Sequence, residues 1–119
     1  FLFNNCFILI AMIVIFKYLI PSKFLGLAIY PFVFLKYETL KNDDYLINHE
    51  KIHLQQQKEM WWIFFFIWYI FEYVIRLIQT KNHHKAYKNI SFEKEAYKNE
   101  GNLNYLLDRK KFSFINYFK

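Results

Sequence analysis

Hydrophobic and polar positions divide the chain into two long apolar stretches with a more polar region between them. The first stretch runs from Cys6 to Ile20 and is broken only by Lys17, and the second runs from Met60 to Ile78 and contains Glu72 and Arg76. Both stretches approach the roughly 20 apolar residues that a helix needs to cross a bilayer. The pattern therefore predicts two apolar helices, each suited to a membrane.

Helix-breaking residues are few, and they lie mainly between the apolar stretches. Gly26 and Pro31 come before the polar region, and after them no Gly or Pro occurs until Gly101. Because proline is excluded from central strands, residues 23–40 are predicted to form a short β-hairpin or a single edge strand near Phe32–Tyr37. The long uninterrupted region that follows is predicted to be helical.

The chain has the length of a single domain, and the pattern predicts a mainly α-helical fold for residues 1–119. Asn42, Asp43 and Asp44 offer N-caps for the helix that carries the polar region into the second apolar stretch. The predicted segments are an N-terminal apolar helix (1–20), a strand region (23–40), the polar helix with its apolar continuation (43–79), a glutamate-bearing helix (89–101) and an amphipathic C-terminal helix (102–119). We therefore expect a small, membrane-associated helical domain with one short β element.

The head of the polar helix carries the sequence His49-Glu50-Lys51-Ile52-His53. On a helix the two histidines lie one turn apart on the same face, and Glu50 lies beside them. Neutral imidazoles bind zinc, an open coordination position keeps a water of lowered pKa, and a carboxylate takes the proton of that water. The motif therefore predicts a Zn²⁺ site with His49 and His53 as ligands and Glu50 as the general base.

A catalytic zinc site usually takes three protein ligands, so a further residue must complete this one. Glu93 is the favoured third ligand, because Ala96 shares its helix face and allows two helices to approach closely. Glu72 is an alternative, although Arg76 lies one turn later and can neutralise it inside the apolar stretch. Two weaker candidates in a polar segment are His83 and His84.

The path of the chain between the two motifs is the main geometric question. A straight helix from His53 to Gln79 would carry the chain roughly 39 Å away from the site. Glu93 can then reach the histidines only if the helix does not stay straight. We therefore predict a bend, a break or a helical hairpin between Lys58 and Gln79, near Trp61 or near Glu72.

The residues resemble those of the gluzincin clan of membrane metallopeptidases, such as the CAAX prenyl endopeptidases, the HtpX-like heat-shock proteases and the BlaR-type sensor peptidases. His49, Glu50 and His53 match the first motif of that clan, and Glu93 with Ala96 matches its later Glu-x-x-Ala segment. The resemblance implies a minimal zincin-like fold in which Glu93 is the third metal ligand.

The resemblance also implies that an edge strand before the motif, here around Phe32–Lys36, holds the substrate in an extended form. The chain departs from the clan at Tyr97, which stands where the clan has an acidic residue that supports the metal ligands. Loss of such support typically costs about 10- to 100-fold in metal affinity or activity. Residues 48–97 are further similar to small bacterial membrane proteins that carry HExxH and a later Phe-Glu-x-Glu-Ala-Tyr segment.

Composition favours a membrane partner over nucleic acid. Aromatic residues make up 24% of the 119 residues, and the formal net charge is +6. The basic residues are scattered around the apolar stretches, so we expect contact with membrane lipid and no binding of nucleic acid. They flank both stretches on both sides, which leaves the orientation in the membrane open. Little chain remains to build a substrate groove, so an oligomer or a partner protein would help to complete one.

Together these features predict a zinc metalloendopeptidase that hydrolyses a peptide or protein substrate at or in the membrane. Tyr97, Tyr87 and His84 are candidates, by residue type alone, for stabilising the oxyanion of that reaction or for supporting the ligands. The alternative is a non-catalytic membrane accessory or anchor protein whose metal site is structural or vestigial. A third interpretation is a basic membrane binder built on the C-terminal helix.

Overall fold

The computed structural model describes residues 12–118 of the chain. Among these residues there are five α-helices, namely α1 (Asp44–Glu59), α2 (Ile63–Thr80), α3 (His83–Lys88), α4 (Ser91–Asn99) and α5 (Tyr105–Asp108). The three strands are β1 (Met12–Ile15), β2 (Gly26–Ile29) and β3 (Phe32–Leu35). Short 3-10 helices occur at Lys17–Leu19, Glu38–Asn42 and Ser113–Tyr117. The prediction of a mainly helical fold with a short β element is confirmed.

The three strands form one sheet in which β3 is the central strand. β1 pairs with β3 in parallel and β2 pairs with it antiparallel, and the hairpin between β2 and β3 turns at Tyr30 and Pro31. The predicted hairpin within residues 23–40 is therefore confirmed. The predicted edge strand near Phe32–Tyr37 is wrong, because β1 covers the second side of β3 and leaves β2 as the edge that meets α1.

The first apolar stretch does not form the predicted helix in the part that the structure describes. Residues 1–11 of that prediction lie outside the described residues, whereas Met12–Ile15 form a strand and Lys17–Leu19 a single 3-10 turn. Three successive β-branched residues in β1 favour a strand. They extend along β3, whose Val33 and Leu35 are fully buried, so sheet pairing overrides the helical expectation.

The helix that carries the predicted metal motif, residues 49–53, begins and ends as the sequence predicts. α1 starts after Asp43, whose side chain accepts a hydrogen bond from the Leu46 N–H at 3.1 Å. It ends before Trp61 and Trp62, which both have a φ of 55°, a value that few residues with side chains adopt. The break predicted between residues 58 and 79 is therefore confirmed, and α2 leaves it in a new direction.

The break returns the start of α2 to the core around α4. The ring of Phe92 lies 4.4 Å from that of Phe65 on α2 and 4.5 Å from that of Phe114 in the C-terminal segment, measured between centroids. One turn later Ala96 packs in a buried cluster with Ile52 of α1. The small side chain of Ala96 allows α1 and α4 to approach closely, which places the residues of α4 beside the metal motif.

Glu72 fixes the start of α4. Its carboxylate accepts hydrogen bonds from the Ser91 N–H at 2.8 Å and from the Ser91 hydroxyl at 2.6 Å. A negative charge at a helix N-terminus is favourable, because the first backbone N–H groups have no partner within the helix. The predicted pairing of Glu72 with Arg76 is also present, at 3.5 Å. Glu72 thus serves the junction of α2 and α4 rather than the metal motif.

The C-terminal segment is not the single amphipathic helix that was predicted for residues 102–119. α5 ends at Asp108, the backbone of Arg109 is extended, and Phe112 has a φ of 61°. Arg109 leaves the helix in order to pair with Glu59 and Glu95 in the core. A buried ion pair therefore overrides the helical periodicity, and residue 119 lies outside the described residues.

The outward face of α2 is apolar and exposed. Of the residues of α2, only Phe65 and Glu72 are buried. Its exposed large apolar side chains are Ile63, Phe64, Ile67, Trp68, Ile70, Phe71, Val74 and Ile78. By length and composition α2 could cross a membrane, and it is the one helix among residues 12–118 that could do so. The same length and composition occur in core helices of soluble proteins.

Candidate metal centre

Three buried side chains from two helices converge on one point. His49 and His53 lie one turn apart on α1, and Glu93 comes from the first turn of α4. His53 Nε2 lies 3.2 Å from His49 Nε2 and 3.2 Å from Glu93 Oε1, and His49 Nε2 lies 3.3 Å from the same oxygen. These three residues could hold a metal ion. The structure thus brings together the three ligands that the sequence predicts.

The spacing of the three atoms suits a small cation. Metal–ligand bonds of 2.0–2.1 Å at tetrahedral angles separate neighbouring ligand atoms by about 3.3 Å. The triangle formed by His49, His53 and Glu93 has edges of 3.2 and 3.3 Å. A single shared proton cannot bond to all three atoms at once. A metal cation above the centre of the triangle can accept a lone pair from each of them.

The outer nitrogens of both imidazoles have their own partners. His49 Nδ1 lies 2.9 Å from Glu100 Oε1, and His53 Nδ1 lies 2.8 Å from Gln56 Oε1. An ionised carboxylate and an amide oxygen are acceptors only, so each Nδ1 carries the hydrogen. When the ring is neutral, it then presents the lone pair of its Nε2 to the centre. This is the tautomer that a metal ligand requires, and a bonded outer nitrogen also fixes the ring orientation.

Glu93 is held by a tyrosine of the apolar helix. The hydroxyl of Tyr69 donates to Glu93 Oε2 at 2.7 Å, while Glu93 Oε1 faces the two histidines. The two oxygens of one carboxylate therefore have different roles. Tyr69 connects α2 to the centre and leaves one oxygen of Glu93 directed at the position between the imidazoles.

Glu50 lies in the same cavity as the three ligands and is 6% exposed. Among the described residues, no hydrogen bond to its carboxylate is present, in contrast to Glu93. A Cβ on Gly26 would lie 3.1 Å from Glu50 Oε2, so the absence of a side chain at Gly26 gives this carboxylate its place against β2. Glu50 is thus a buried carboxylate with room for a water molecule beside it.

Burial and the neighbouring charges shift the pKa values of three residues in the centre. Burial raises the pKa of Glu50, and the neighbouring His53 and His49 oppose this only in part. Burial disfavours the charged form of His53, but the Glu93 carboxylate outweighs it and raises the pKa of His53 to about 9. Burial likewise opposes ionisation of Glu93, yet the two histidines hold its pKa well below the ordinary range. The cluster is therefore arranged to stabilise a positive charge between its ligands.

A cavity of about 540 Å³ opens beside the centre. Its walls come from β2, the motif residues of α1, the inner face of α2 and the start of α3. Most of the lining is apolar or aromatic, with Phe24, Leu27, Phe66 and Ile70 among its members. Pockets of this size and character are typical of sites for small molecules or short peptide segments.

The edge of β2 that faces α1 is partly occupied by Gln57. Lys36 N–H donates at 2.9 Å to the carbonyl of Leu25, the residue before β2. In this register alternate residues bond to β3, and the intervening ones, Gly26 among them, direct their N–H and C=O groups outwards. Gln57 Nε2 donates to Ala28 O at 2.8 Å, and Gln57 Oε1 accepts from Tyr30 N–H at 2.7 Å. The side chain of Gln57 thus imitates a neighbouring strand at this end of β2, while the outward groups at Gly26 remain beside the centre.

The other predicted site residues differ in how closely they contact the three candidate ligands. Tyr87 and His84 line the cavity. The ring of Tyr97 packs on the ring of His49 at 4.5 Å between centroids, and its hydroxyl lies 2.9 Å from that of Tyr87. Tyr97 therefore contacts a ligand but supplies no hydrogen bond to it. His83 lies at the cavity wall, where its Nδ1 is 2.5 Å from the Tyr73 hydroxyl.

Three residues of the centre were not recognised from the sequence. They are Gln56, Glu100 and Tyr69. Gln56 follows His53 by three positions and Glu100 follows Glu93 by seven, so each shares a helix face with a predicted ligand. Tyr69 follows Phe65 by four positions in α2, on the face that turns inwards. Helical spacing from the ligands was thus the signal that could have identified Gln56 and Glu100, and spacing from Phe65 was the signal for Tyr69.

Comparisons with protein-family models, curated proteins and solved structures found no match. The resemblance to the gluzincin clan therefore stays a prediction. The functional argument below rests on the geometry of His49, Glu50, His53 and Glu93.

Proposed function

We propose that the protein is a zinc-dependent peptidase that acts at a membrane. The observation that carries the proposal is the triangle of His49 Nε2, His53 Nε2 and Glu93 Oε1, with edges of 3.2 and 3.3 Å. Two imidazoles and one carboxylate with an open fourth position form a donor set that is typical of catalytic zinc. The adjacent carboxylate of Glu50 supports hydrolysis rather than a purely structural role.

Each residue has a distinct role in the proposed reaction. When bound, zinc polarises a carbonyl and lowers the pKa of water. Glu50 takes a proton from the attacking water and passes it to the departing amine, and its raised pKa suits both transfers. Tyr87 and His84 line the cavity and are the candidates for stabilising the negative oxygen of the intermediate.

The edge of β2 supports an extended peptide as the substrate. An added strand pairs with the outward N–H and C=O groups of an edge strand, and Gly26, which carries such groups, lies against the side chain of Glu50. A peptide that runs antiparallel to β2 points its N-terminal side towards Tyr30, where Gln57 already occupies the edge. We therefore expect cleavage close to the N-terminus of short or unfolded peptides.

The test of this function is the replacement of Glu50 by glutamine. The full chain is loaded with zinc in detergent or lipid, incubated with a mixture of peptides, and the products are identified by mass spectrometry. We expect Glu50→Gln to reduce the cleavage rate by about 10²- to 10⁴-fold while zinc binding is kept. Glu38→Gln changes an exposed glutamate and is the matched control.

Either of two results would contradict the proposal. One is cleavage by Glu50→Gln at the rate of the unchanged protein, which would remove Glu50 from the mechanism. The other is the absence of stoichiometric zinc from the purified protein at neutral pH. Zinc binding without cleavage of any peptide would favour a non-catalytic membrane protein with a structural metal site.

The exposed face of α2 supports the membrane location. Phe71 and Ile67 are 64% and 59% exposed on this face, and each apolar side chain removed from water contributes about 1.5–3 kcal/mol. We expect Phe71→Ser to reduce co-sedimentation with neutral phosphatidylcholine vesicles. Tyr45→Ser replaces an exposed aromatic residue of α1 (56% exposed) and is expected to leave co-sedimentation unchanged. Equal losses in both variants would argue against α2 as the contact surface.

A further inference from the structure

Gln56 connects the metal centre to a buried ion-pair cluster. Its Oε1 lies 2.8 Å from His53 Nδ1. Its Nε2 donates to Glu95 Oε1 at 2.9 Å and to the Phe92 carbonyl at 3.1 Å. The side chain of Gln56 is fully buried, so water does not replace these partners. The two ends of one amide group therefore face two different regions of the core.

The orientation of this amide is determined by its donor end. Nε2 carries two hydrogens and has two acceptors, Glu95 Oε1 and the Phe92 carbonyl. A flipped amide would bring its oxygen against both of those oxygens and its hydrogens against His53. Glu95 cannot turn away, because its other oxygen accepts hydrogen bonds from Arg109 and from the Tyr105 hydroxyl. The oxygen of Gln56 is thus held towards His53.

We infer that Gln56 is a positioning residue that fixes His53 as the tautomer with hydrogen on Nδ1. An amide oxygen only accepts, so the facing ring nitrogen must donate, and the lone pair of Nε2 then points to Glu93 and His49. This inference rests on the metal site of the proposed function, but it does not require that the site hydrolyses anything. It assigns to Gln56 the support that the resemblance to the gluzincin clan implies for an acidic residue at the position of Tyr97.

The choice of a neutral partner for His53 follows from its surroundings. His49 has the carboxylate of Glu100 as its outer partner, and the Glu100 side chain is 33% exposed. The outer partner of His53 instead lies next to buried Glu95, where a second carboxylate would repel the first. An amide satisfies both neighbours, because it accepts from His53 and donates to Glu95.

The unchanged protein provides the first test. The full chain is labelled with ¹⁵N-histidine and loaded with ¹¹³Cd²⁺, and the metal–nitrogen coupling identifies the ring nitrogen that binds. We expect coupling to Nε2 of His53 and a hydrogen on its Nδ1. Coupling to Nδ1 would overturn the inference. If cadmium does not bind, the spectrum of the metal-free protein at alkaline pH, where the ring is neutral, decides, because it also shows which nitrogen carries the hydrogen.

Two substitutions distinguish a role of Gln56 in positioning His53 from a role in merely connecting two regions of the core. Gln56→Leu removes both ends of the amide, and Gln56→Glu keeps an oxygen for His53 but loses the hydrogens that reach Phe92 and Glu95. We expect Gln56→Leu to weaken zinc binding by about 10- to 100-fold and to lose the single His53 tautomer. We expect Gln56→Glu to keep the Nδ1 hydrogen and to restore most of the affinity, while repulsion between the new carboxylate and Glu95 lowers the free energy of unfolding.

Gln55→Leu is the matched control. Gln55 precedes Gln56 on α1, and its side chain donates to Glu59 at 3.2 Å, whereas the hydrogen bonds of the two histidines go to other residues. Zinc affinity and the His53 spectrum are expected to be unchanged in this variant. An unaltered His53 signature and affinity in Gln56→Leu would overturn the inference, as would equal losses in Gln55→Leu. Lack of peptidase activity would contradict the proposed function and leave these readouts intact.

Discussion

Two buried carboxylates of α4, two residues apart, have opposite surroundings. Glu95 is fully buried and pairs with Arg109, which also binds Glu59 at 2.5 Å. Glu93 is equally enclosed, at 4% exposure, but it faces the lone pairs of His49 and His53. Glu95 thus has a permanently charged arginine as its partner, whereas the partners of Glu93 are histidines.

The difference separates a structural charge cluster from a candidate metal-binding site. A buried carboxylate is costly unless a cation or several donors compensate it. In the Glu95 cluster, burial opposes the charge of Arg109, but hydrogen bonds to Glu95 and Glu59 outweigh it and raise the pKa of Arg109 further above its ordinary value. At Glu93 the compensating charge has to be imported, as protons on imidazole or as a metal ion. Gln56 joins the two regions and belongs to both.

The largest expected effect comes from removing the cation of the Glu95 cluster. Arg109→Met leaves Glu59 and Glu95 buried without their positive partner, and loss of one member of a buried ion pair costs about 3–5 kcal/mol. We expect this decrease in the free energy of unfolding, measured with urea in the presence of a chelator. Lys110→Met changes the exposed neighbour and should cost far less. A cost for Arg109→Met no greater than that of the control would show that the cluster is not structural.

The second expected effect comes from supplying a cation to Glu93. Zinc at about a hundred times its dissociation constant should stabilise the protein by about 2.7 kcal/mol, because it binds the folded state. Glu93→Gln should lose this increment while it keeps most of the stability of the metal-free protein. Urea unfolding with zinc and with chelator measures both quantities. The same zinc increment in Glu93→Gln would remove Glu93 from the ligand set.

Local patterns were enough to predict the central part of the site. The spacing of His49, Glu50 and His53, the cap at Asp43 and the need for a break near Trp61 all follow from helix geometry over short distances. Glu93 was selected because Ala96 shares its helix face, and Ala96 is indeed buried where α1 and α4 meet. Each of these inferences uses residues that are close in sequence.

Pairing between distant segments could not be predicted in the same way. β1 lies beside β3 only after the chain has passed through β2, so the identity of the edge strand depends on a non-local contact. Arg109 interrupts the C-terminal helix for partners that are 14 and 50 residues away. Apolar periodicity carries no information on such partners. For that reason the apolar helix predicted at the N-terminus and the single amphipathic helix predicted at the C-terminus were both wrong where the structure describes them.

The smallest expected effect tests how much the negative charge of Glu100, which contacts His49 but is not a proposed ligand, contributes to metal binding at the candidate centre. Glu100→Gln keeps an acceptor for His49 Nδ1 but removes a negative charge, which makes the partner of His49 neutral like Gln56. Replacement of such partners costs 10- to 100-fold when the hydrogen bond is lost, so with the bond kept we expect zinc to bind up to about 10-fold more weakly. Competition with a chromophoric chelator measures the change, with exposed Lys98 near the end of α4 changed to glutamine (Lys98→Gln) as the control. A loss as large as that of Glu93→Gln would mean that Glu100 is itself a ligand. Glu93 and Glu100 would then both be carboxylates that need an added cation, in contrast to Glu95, which pairs with Arg109.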